Sequence, residues 1–366
     1  MFTQNKLNRL LITFSLILLV VGLVALISAS AVIGEQEHGD VYHFVKKQLL
    51  LGIFLGLILA WVVSKIDYHS LTKLALVLLV LNIVLLLLCF IPALQPLGSP
   101  AHRWLKIGPI NFQPSEFIKI TYIIFLAGFL SRFSIDKRRK INAAPFIVFV
   151  ASLAIIATII YKQPATGTLL VLVLSSATVY IVAGMGAFQF LSLGLLSALG
   201  LAFMINKTSY RSERILSFLS PGSDPLGKGY HIIQSLIGIG SGGLFGIGFG
   251  RSIQKFNYLP ESHTDAIFSI IAEEFGFLGS LLIIVLFLLL ISIGLKIAKK
   301  APDNLGKFLA IGLTCNIGFQ AFINIAAMCQ LLPITGIPLP FISYGGSSLV
   351  ATLISIGILS NIAKQA

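Results

Sequence analysis

Apolar residues along this chain come in long runs separated by short polar stretches. A helix needs roughly 20 apolar residues to cross a hydrocarbon core of about 30 Å. Ten runs approach that length, at 10–33, 45–64, 73–92, 116–133, 144–161, 167–184, 187–206, 266–295, 308–331 and 345–362. The first follows Lys6 and Arg9, and Ala29-Ser30-Ala31 mimics a cleavage site. Its apolar stretch from Leu10 to Ile27 exceeds the roughly 7–15 residues of a signal core, so it reads as a retained helix. The pattern predicts an all-α polytopic membrane protein: one integral domain over 1–366 with about ten transmembrane helices.

One further segment is long and apolar enough to change that count. Residues 231–250, HIIQSLIGIGSGGLFGIGFG, contain seven glycines, each costing a helix about 1 kcal/mol relative to Ala. The expectation is a broken or re-entrant element inside a long outer region, about 207–265, between the seventh and eighth helices. Irregular backbone at membrane depth requires surrounding protein or a wet cavity. This region therefore reads as the floor of a cavity opening outward.

Composition agrees. Hydrophobic residues make up 57% of the 366 residues and charged residues 11%, against roughly 25% charged in a soluble domain. That excludes a soluble enzyme, a secreted disulfide scaffold and a disordered chain. Cys89, Cys315 and Cys329 lie in apolar stretches without metal spacing, as small core hydrophobes do. The charge is lopsided, 26 Lys+Arg against 13 Asp+Glu. The basic residues flank apolar runs and form no nucleic-acid-binding arm. With ten spans starting inside, the inner segments hold Lys6, Arg9, Lys65, Lys73, Arg132, Lys137–Lys140, Lys296, Lys299, Lys300, Lys307 and Lys364. The outer loops hold only Lys46, Lys47, Arg103, Lys106 and Lys162. This bias puts both termini in the cytoplasm. A spanning 231–250 would send the Lys296–Lys307 cluster outward.

Polar groups are expensive in a membrane, so they are the first place to seek function. Asp265 ends the stretch Tyr258–Asp265 at the entrance to the eighth helix, where the dipole favours a carboxylate. It is either a solvated helix-start acid or a carboxylate at the lip of the cavity, able to accept a proton or bind a cation. Glu273 and Glu274 follow in the same helix. Glu273 should lie about 12 Å below Asp265, with Glu274 on the opposite face; a structural ion pair is favoured for them. Pro114 and Ser115 open the fourth helix, with Glu116 and Lys119 three apart on one face. Lys119 either pairs locally and snorkels outward or points inward to orient an acid on another helix. The loop Pro333–Ser348, with three prolines and three glycines, is either a tight connector or a phosphate cradle in which Ser343, Tyr344 and backbone N–H groups take part. The glycine-rich segment lacks a Walker Lys-Ser/Thr and a preceding strand, so it is no nucleotide site.

Together, Phe112–Lys119, Tyr210-Arg211 through Asp224-Pro225, Gly240–Gly250, Tyr258–Asp265 with Glu273–Gly276, and Pro333–Ser348 resemble the SEDS family of bacteria, the FtsW/RodA proteins. The resemblance covers nearly the whole chain. Gln254-Lys255 before Tyr258–Glu261, and Gln320–Ile325 before Leu332-Pro333, look like the division branch, FtsW, more than the elongation branch, RodA. Two positions depart from the family pattern. Ala165 stands where the family usually has Asp, and Ala266 replaces the usual Phe after the key acid.

The resemblance implies a peptidoglycan glycosyltransferase. Such proteins polymerise lipid II, an undecaprenyl-pyrophosphate disaccharide-pentapeptide, on the outer face of the bacterial cytoplasmic membrane, for septal wall synthesis in cell division. It implies partnership with a class B penicillin-binding protein transpeptidase and other divisome proteins. It assigns the essential acid to Asp265 and the fourth-helix pair to Glu116 and Lys119. Glu273, His263, Ser343 and Tyr344 are expected to support the site. Arg211, Arg214 and Arg251 are candidate pyrophosphate contacts. No dedicated metal site is visible in the sequence, although a divalent cation, Mg or Mn, could help neutralise a pyrophosphate. The rival readings are a lipid II flippase, an elongation-branch polymerase and a non-catalytic divisome scaffold.

Overall fold

The computed structural model describes residues 4–96, 102–108, 110–133, 143–196, 209–227 and 229–365. The basic Lys137–Lys140 run, positions 197–206 of the expected seventh span, and the side chains of Arg211 and Glu213 lie outside the described residues. Seven described helices are long and apolar enough to cross a membrane: α1 (Gln4–His38), α2 (His43–Val63), α5 (Pro114–Ser131), α6 (Ala143–Lys162), α11 (Ile267–Lys300), α12 (Asn304–Met328) and α13 (Gly346–Gln365). Three shorter apolar helices, α4 (Ala75–Leu88), α7 (Thr166–Val182) and α8 (Ala187–Leu196), occupy the remaining expected spans. Short α3 (Tyr68–Lys73), amphipathic α9 (Ser209–Leu219) and α10 (Tyr230–Ser241) complete the helices. A two-stranded antiparallel hairpin, β1 (Leu105–Ile107) and β2 (Ile110–Phe112), pairs Leu105 with Phe112 and leads into α5. It is the one departure from the all-α expectation among the described residues.

The first run is part of the bundle. Leu11, Leu18, Leu26 and Ala29 of α1 are buried, and α1 packs on α11 and α13. α12 and α13 form the centre, with α5 packed on both and α7 on α12. α2 meets α13 along a small-residue seam: Gly52 faces Leu349, Gly56 faces Leu353, and Ala60 faces Gly357. A Cβ on Gly357 would sit 2.5 Å from the Ala60 carbonyl. Such close backbone approach lets membrane helices gain dispersion energy without help from water.

The glycine-rich segment does not cross as one helix. Its helical part, α10, spans 12 residues, about 18 Å. The rest is a loop spliced into a break in α11 at Gly276, whose φ is 67°. An uninterrupted helix would bond the Phe277 N–H to the Glu273 carbonyl and the Leu278 N–H to the Glu274 carbonyl. Instead, Ile247 and Gly248 donate to the Glu273 and Glu274 carbonyls at 3.0 and 3.1 Å. Phe277 and Leu278 donate to the Gly243 and Leu244 carbonyls at 2.8 and 3.2 Å. Two helical bonds are cut and four loop groups replace them, so each of the four freed helix groups is paired.

The adjacent acids hold the same loop. Glu273 accepts from the Ser252 hydroxyl and from the Ile253 and Gln254 N–H groups. Glu274 accepts from Ser28, the Ser252 N–H and Lys255 Nζ at 2.5, 3.2 and 3.3 Å. The ion pair favoured from sequence is thus Lys255–Glu274, joining loop, α11 and α1. The expected divergence of the two acids is corrected, because the loop wraps the broken helix end and Ser252 touches both.

At the far end of α11 a second polar knot ties the connections together. Asp303 accepts from the Tyr68 hydroxyl at 3.1 Å and the Gly306 N–H at 2.6 Å, and His69 Nε2 lies 2.7 Å away. Asn361 bonds the Tyr68 N–H and the Ser64 carbonyl. Lys299 and Lys300 end α11 here, so Asp265 and the basic cluster lie at opposite ends of one helix.

The splice makes a sharp prediction. A Cβ on Gly246 would lie 2.1 Å from the Glu274 carbonyl, and one on Gly276 2.3 Å from the Gly246 nitrogen, both at positive φ. Gly246→Ala and Gly276→Ala should each destabilise by about 2–4 kcal/mol. Gly240→Ala, with nothing within 4 Å of the added carbon, should be neutral or stabilise by up to about 1 kcal/mol. Thermal melts in detergent check this; equal melting of all three would remove the splice as a stabilising element.

Candidate active site

A cavity of about 860 Å³ opens at the Asp265 end of the bundle. Its walls come from α2, the β-hairpin, α5, the start of α7, α9, α10, the 258–265 loop and the Pro-rich loop; α13 contributes the floor through Ser347, Ser348 and Val350.

Asp265 sits two residues before α11, and its carbonyl accepts from Asn324 Nδ2 at 2.7 Å. The same Nδ2 donates to the Ile337 carbonyl at 2.8 Å, fixing the Pro-rich loop against the acid. Thr264 Oγ1 lies 2.6 Å from Glu261 Oε2 and 3.3 Å from Asp265 Oδ1. Burial first, then the Glu261 charge, pushes the Asp265 carboxyl up to about 6, while Arg214 and local hydrogen bonds pull the other way. Arg214 donates to the Ile334 carbonyl at 2.9 Å. Gly336, at φ 67°, fronts both groups: a Cβ there would stand 3.8 Å from Asp265 Oδ2 and 3.9 Å from the Arg214 guanidinium nitrogens. Carboxylate and cation thus flank one small space.

Glu116 forms another part of the wall, with Lys119 behind it. Both are 1% exposed. Lys119 Nζ donates to Glu116 Oε2 at 3.0 Å and to Gln320 Oε1 at 2.5 Å. Gln320 Nε2 donates to the Pro338 carbonyl at 2.9 Å and to Ser348 Oγ at 3.2 Å. The sequence left two orientations open for Lys119. The structure gives a local ion pair that is buried and does not snorkel, and the partner on another helix is an amide. Glu116 Oε1 is buried without a partner.

The other expected residues divide. Arg214 and Tyr344 line the cavity. His263 lies behind Tyr344, packed between it and Phe44, with ring centroids 5.7 and 4.6 Å apart; its carbonyl accepts the Tyr344 N–H. Burial pulls the His263 imidazole down, keeping it neutral. Ser343 does not reach the cavity; its hydroxyl accepts the Leu339 N–H at 2.8 Å and its carbonyl accepts from Gln48. Glu273 anchors the glycine-rich loop away from the cavity, and Arg251 is exposed outside it. Arg211's side chain lies outside the described residues.

Several lining residues were not assigned roles from sequence. Lys47, Arg103, Trp104, His231, Glu261 and Thr264 all face the cavity. Arg103 Nε is buried without an acceptor. Burial pushes the His231 imidazole down to about 4, against the pull of Glu261, so it stays neutral. Gln48 clamps the Pro-rich loop from the other side, accepting the Gly345 N–H at 3.1 Å. Glu261 and Thr264 carried a sequence signal as members of the Tyr258–Asp265 stretch.

The fold and the site define a polytopic membrane protein with a cavity that is charged at one end and apolar along α2. Among the described residues no group of three or more His, Cys, Asp or Glu is placed to hold a metal. The chain belongs to the FtsW/RodA/SpoVE family, described as cell cycle proteins, whose sequence model matches residues 8–366. It is 41% identical to stage V sporulation protein E of Bacillus subtilis (strain 168), over 98% of this chain and 97% of that protein. It is 36% identical to the probable peptidoglycan glycosyltransferase FtsW of Geobacter sp. (strain M18), over 98% and 97%. Among solved structures it is similar to a chain from work on the structural coordination of polymerization and crosslinking by a peptidoglycan synthase complex. That match has a TM-score of 0.78 and 28% identity over 97% of this chain and 96% of that one. The rod shape determining protein RodA of Thermus thermophilus matches with a TM-score of 0.70 and 25% identity, over 97% and 95%.

The Glu116–Lys119 pair can be tested without activity. Removing one member of a buried pair costs about 3–5 kcal/mol, whereas replacing both by apolar groups is often neutral. Lys119→Met should lower stability strongly, and Glu116→Gln with Lys119→Met should recover most of the loss. A double variant melting below Lys119→Met would show that the pair is not the unit of stability.

Proposed function

We propose that this chain is an inverting peptidoglycan glycosyltransferase that polymerises lipid II into septal glycan strands, with Asp265 as the base. The observation that carries the reading is one buried carboxylate, poised near pH 6, facing Arg214 across a small space in an amphiphilic cavity. A base works best when its pKa lies near the operating pH.

The acceptor sugar's 4-hydroxyl attacks the anomeric carbon of a second, pyrophosphate-linked sugar. Asp265 takes the hydroxyl proton as the new C–O bond forms. The bond from the anomeric carbon to the pyrophosphate oxygen breaks, and undecaprenyl pyrophosphate departs with the electron pair. An α-linked donor becomes a β-linked product. Arg214, Arg103 and Lys47 line the same cavity, and fixed cations stabilise charge developing on a leaving group. Among the candidate arginines, Arg214 fits this role; Arg251 lies outside the cavity. A hard divalent cation fits the donors only in part. Glu261, Asp265 and Thr264 face the cavity as oxygen donors, and the pyrophosphate would supply the rest. The transpeptidase partner would be a class B penicillin-binding protein, by analogy with the similar synthase complex.

The orientation belongs to the same reading. The Asp265 end faces the outside of the cytoplasmic membrane and both termini face the cytoplasm, as the clustering of Lys299, Lys300 and Lys307 at the far end supports. Tyr258, 52% exposed, reports on the Asp265 end. In a background lacking Cys89, Cys315 and Cys329, an impermeant maleimide on spheroplasts should label Tyr258→Cys and spare Lys299→Cys. The reverse pattern would turn the active site inward and end the proposal.

Asp265→Asn and Asp265→Ala should cut glycan polymerisation by purified protein by about 10²–10⁴-fold, with melting temperature kept. Wild-type polymerisation should rise with pH through about 6, as the base loses its proton. The contribution of this group to stability runs the opposite way. A raised carboxyl pKa stabilises the fold below the unfolded value of 3.8, and that gain is lost as pH rises through about 6. Long glycan made by Asp265→Ala would overturn the base assignment. Asp265-dependent transfer of lipid II across vesicles, with no polymer, would favour a flippase.

A further inference from the structure

The proposed base is one end of a linked trio. Thr264 Oγ1 lies 2.6 Å from Glu261 Oε2, 3.2 Å from the Glu261 carbonyl and 3.3 Å from Asp265 Oδ1. A hydroxyl carries one proton and two lone pairs. With both acids ionised, three acceptors compete for that one proton. With a proton added on Asp265, the hydroxyl accepts from Asp265 and donates to Glu261, and both carboxyls are served. The trio is therefore complete when the two carboxyls hold one proton between them. Burial gives it a direction: Asp265 is 8% exposed, Thr264 is half-buried and Glu261 is exposed.

The backbone arranges the trio. Glu261 has φ 54°, in the left-handed region that residues with a side chain seldom adopt. Its carbonyl accepts the Thr264 and Ala266 N–H groups at 3.1 Å each, and its carboxylate comes back onto the Thr264 hydroxyl. Asn324 pins the Asp265 carbonyl. The two carboxyl oxygens of Asp265 then have different neighbours. Oδ1 meets Thr264, while Oδ2 fronts Gly336 on the Arg214 side. Glu261, Thr264, Asp265 and Arg214 all line the cavity. A sugar seated against Oδ2 covers that side of the base, so a proton collected there needs a way out that does not pass back through the substrate.

We propose that Thr264 and Glu261 are the proton exit of Asp265, passing the proton taken from the acceptor's 4-hydroxyl to water after each bond is made. This rests on the proposed polymerase reading and adds how its base is reset. The proton arrives on Oδ2. A half-turn of the carboxyl about its Cβ–Cγ bond brings it beside Thr264. The Asp265 O–H bond breaks as a new O–H bond forms at Thr264 Oγ1, and the proton that Thr264 already held passes to Glu261 Oε2. Asp265 is again a carboxylate, Thr264 is again a neutral hydroxyl, and Glu261 is neutral until it gives the proton to water. Both residues act through Asp265, so neither needs to touch a sugar.

Polymerisation kinetics and an infrared titration test this on the purified full-length protein. Glu261→Gln keeps an oxygen for the Thr264 hydroxyl to donate to and removes the ability to take a proton. At a pH well above 6, where Asp265 rests ionised, it should lower kcat about tenfold with KM for lipid II kept. Thr264→Val should do the same, and Thr264→Ser should return kcat to within about twofold of wild type. A Glu261→Gln chain with wild-type kcat at that pH, or a Thr264→Ser chain as slow as Thr264→Val, overturns the relay. So does recovery of Glu261→Gln by added Mg²⁺, which would make the three oxygens a cation site. The titration needs no turnover. It follows the protonated-carboxyl band that Asp265→Asn removes, which should fade around pH 6. Glu261→Gln takes away a negative neighbour and should move that titration down. Thr264→Val takes away a hydrogen bond to the carboxylate and should move it up. No shift in either variant overturns the trio. Both shifts in a chain that makes no glycan would sink the polymerase reading and leave the linked trio standing.

Discussion

Everything at the Asp265 end of this protein depends on the break in α11. In a medium without water, a cut helix leaves carbonyls and N–H groups that cost several kcal/mol each when unpaired. At Gly276 the glycine-rich loop supplies two donors and two acceptors in register with the cut. Only residues without a Cβ fit that approach, since an added carbon on Gly246 or Gly276 would fall within 2.3 Å of backbone atoms. Glu273 and Glu274 then extend the grip, collecting loop N–H groups, Ser28, Ser252 and Lys255. The loop so anchored carries the chain to Asp265. Two adjacent acids, for which the sequence favoured a structural ion pair, are part of its foundation.

A second layer of fixing comes from amides. Gln320 and Asn324, about one turn apart on α12, reach the Pro338 and Ile337 carbonyls; Gln48 clamps the same loop at Ser343 and Gly345. Through them, Lys119, Asp265 and the Pro-rich loop share one hydrogen-bonded frame. Neutral amides suit this place, since each gives a donor and an acceptor without adding charge. The buried charge is concentrated in a few carboxylates and cations. Asp265 is left in a setting that holds its proton more tightly than water would. Preorganised, dry polar sites of this kind are where a base and a cation act most strongly.

The relatives place these features in the FtsW/RodA/SpoVE family. The chain shares nearly its full length with stage V sporulation protein E and with FtsW proteins, and its fold with RodA. Ala165 precedes α7 without a side-chain cap and lies in the cavity wall. The charged groups of the chamber are Asp265, Glu261 and Glu116 on one sign and Arg214, Arg103 and Lys47 on the other.

The ten apolar runs, the split of basic residues between chain segments and the cluster of glycines each reflect a local cost: hydrocarbon exposure, charge transfer or helix propensity. Those costs are written residue by residue, so the apolar helices and the broken 231–250 element were legible in the sequence. Asp265 and Glu116 were legible too, because an acid beside an apolar run stands out alone. What only the tertiary structure decided was which polar groups share a space. Glu273 lies only eight residues from Asp265, yet it turns to a different loop. Lys47 and Arg214 lie far apart in sequence and line one chamber. The amphiphilic shape of that chamber comes from a π stretch resetting the face of α2 and from a glycine seam drawing α2 onto α13. The seam is a relation between helices and the π stretch a departure from the regular helical repeat, and the hydrophobic pattern of a single regular helix carries no record of either, because lipid and a neighbouring helix look alike to a leucine.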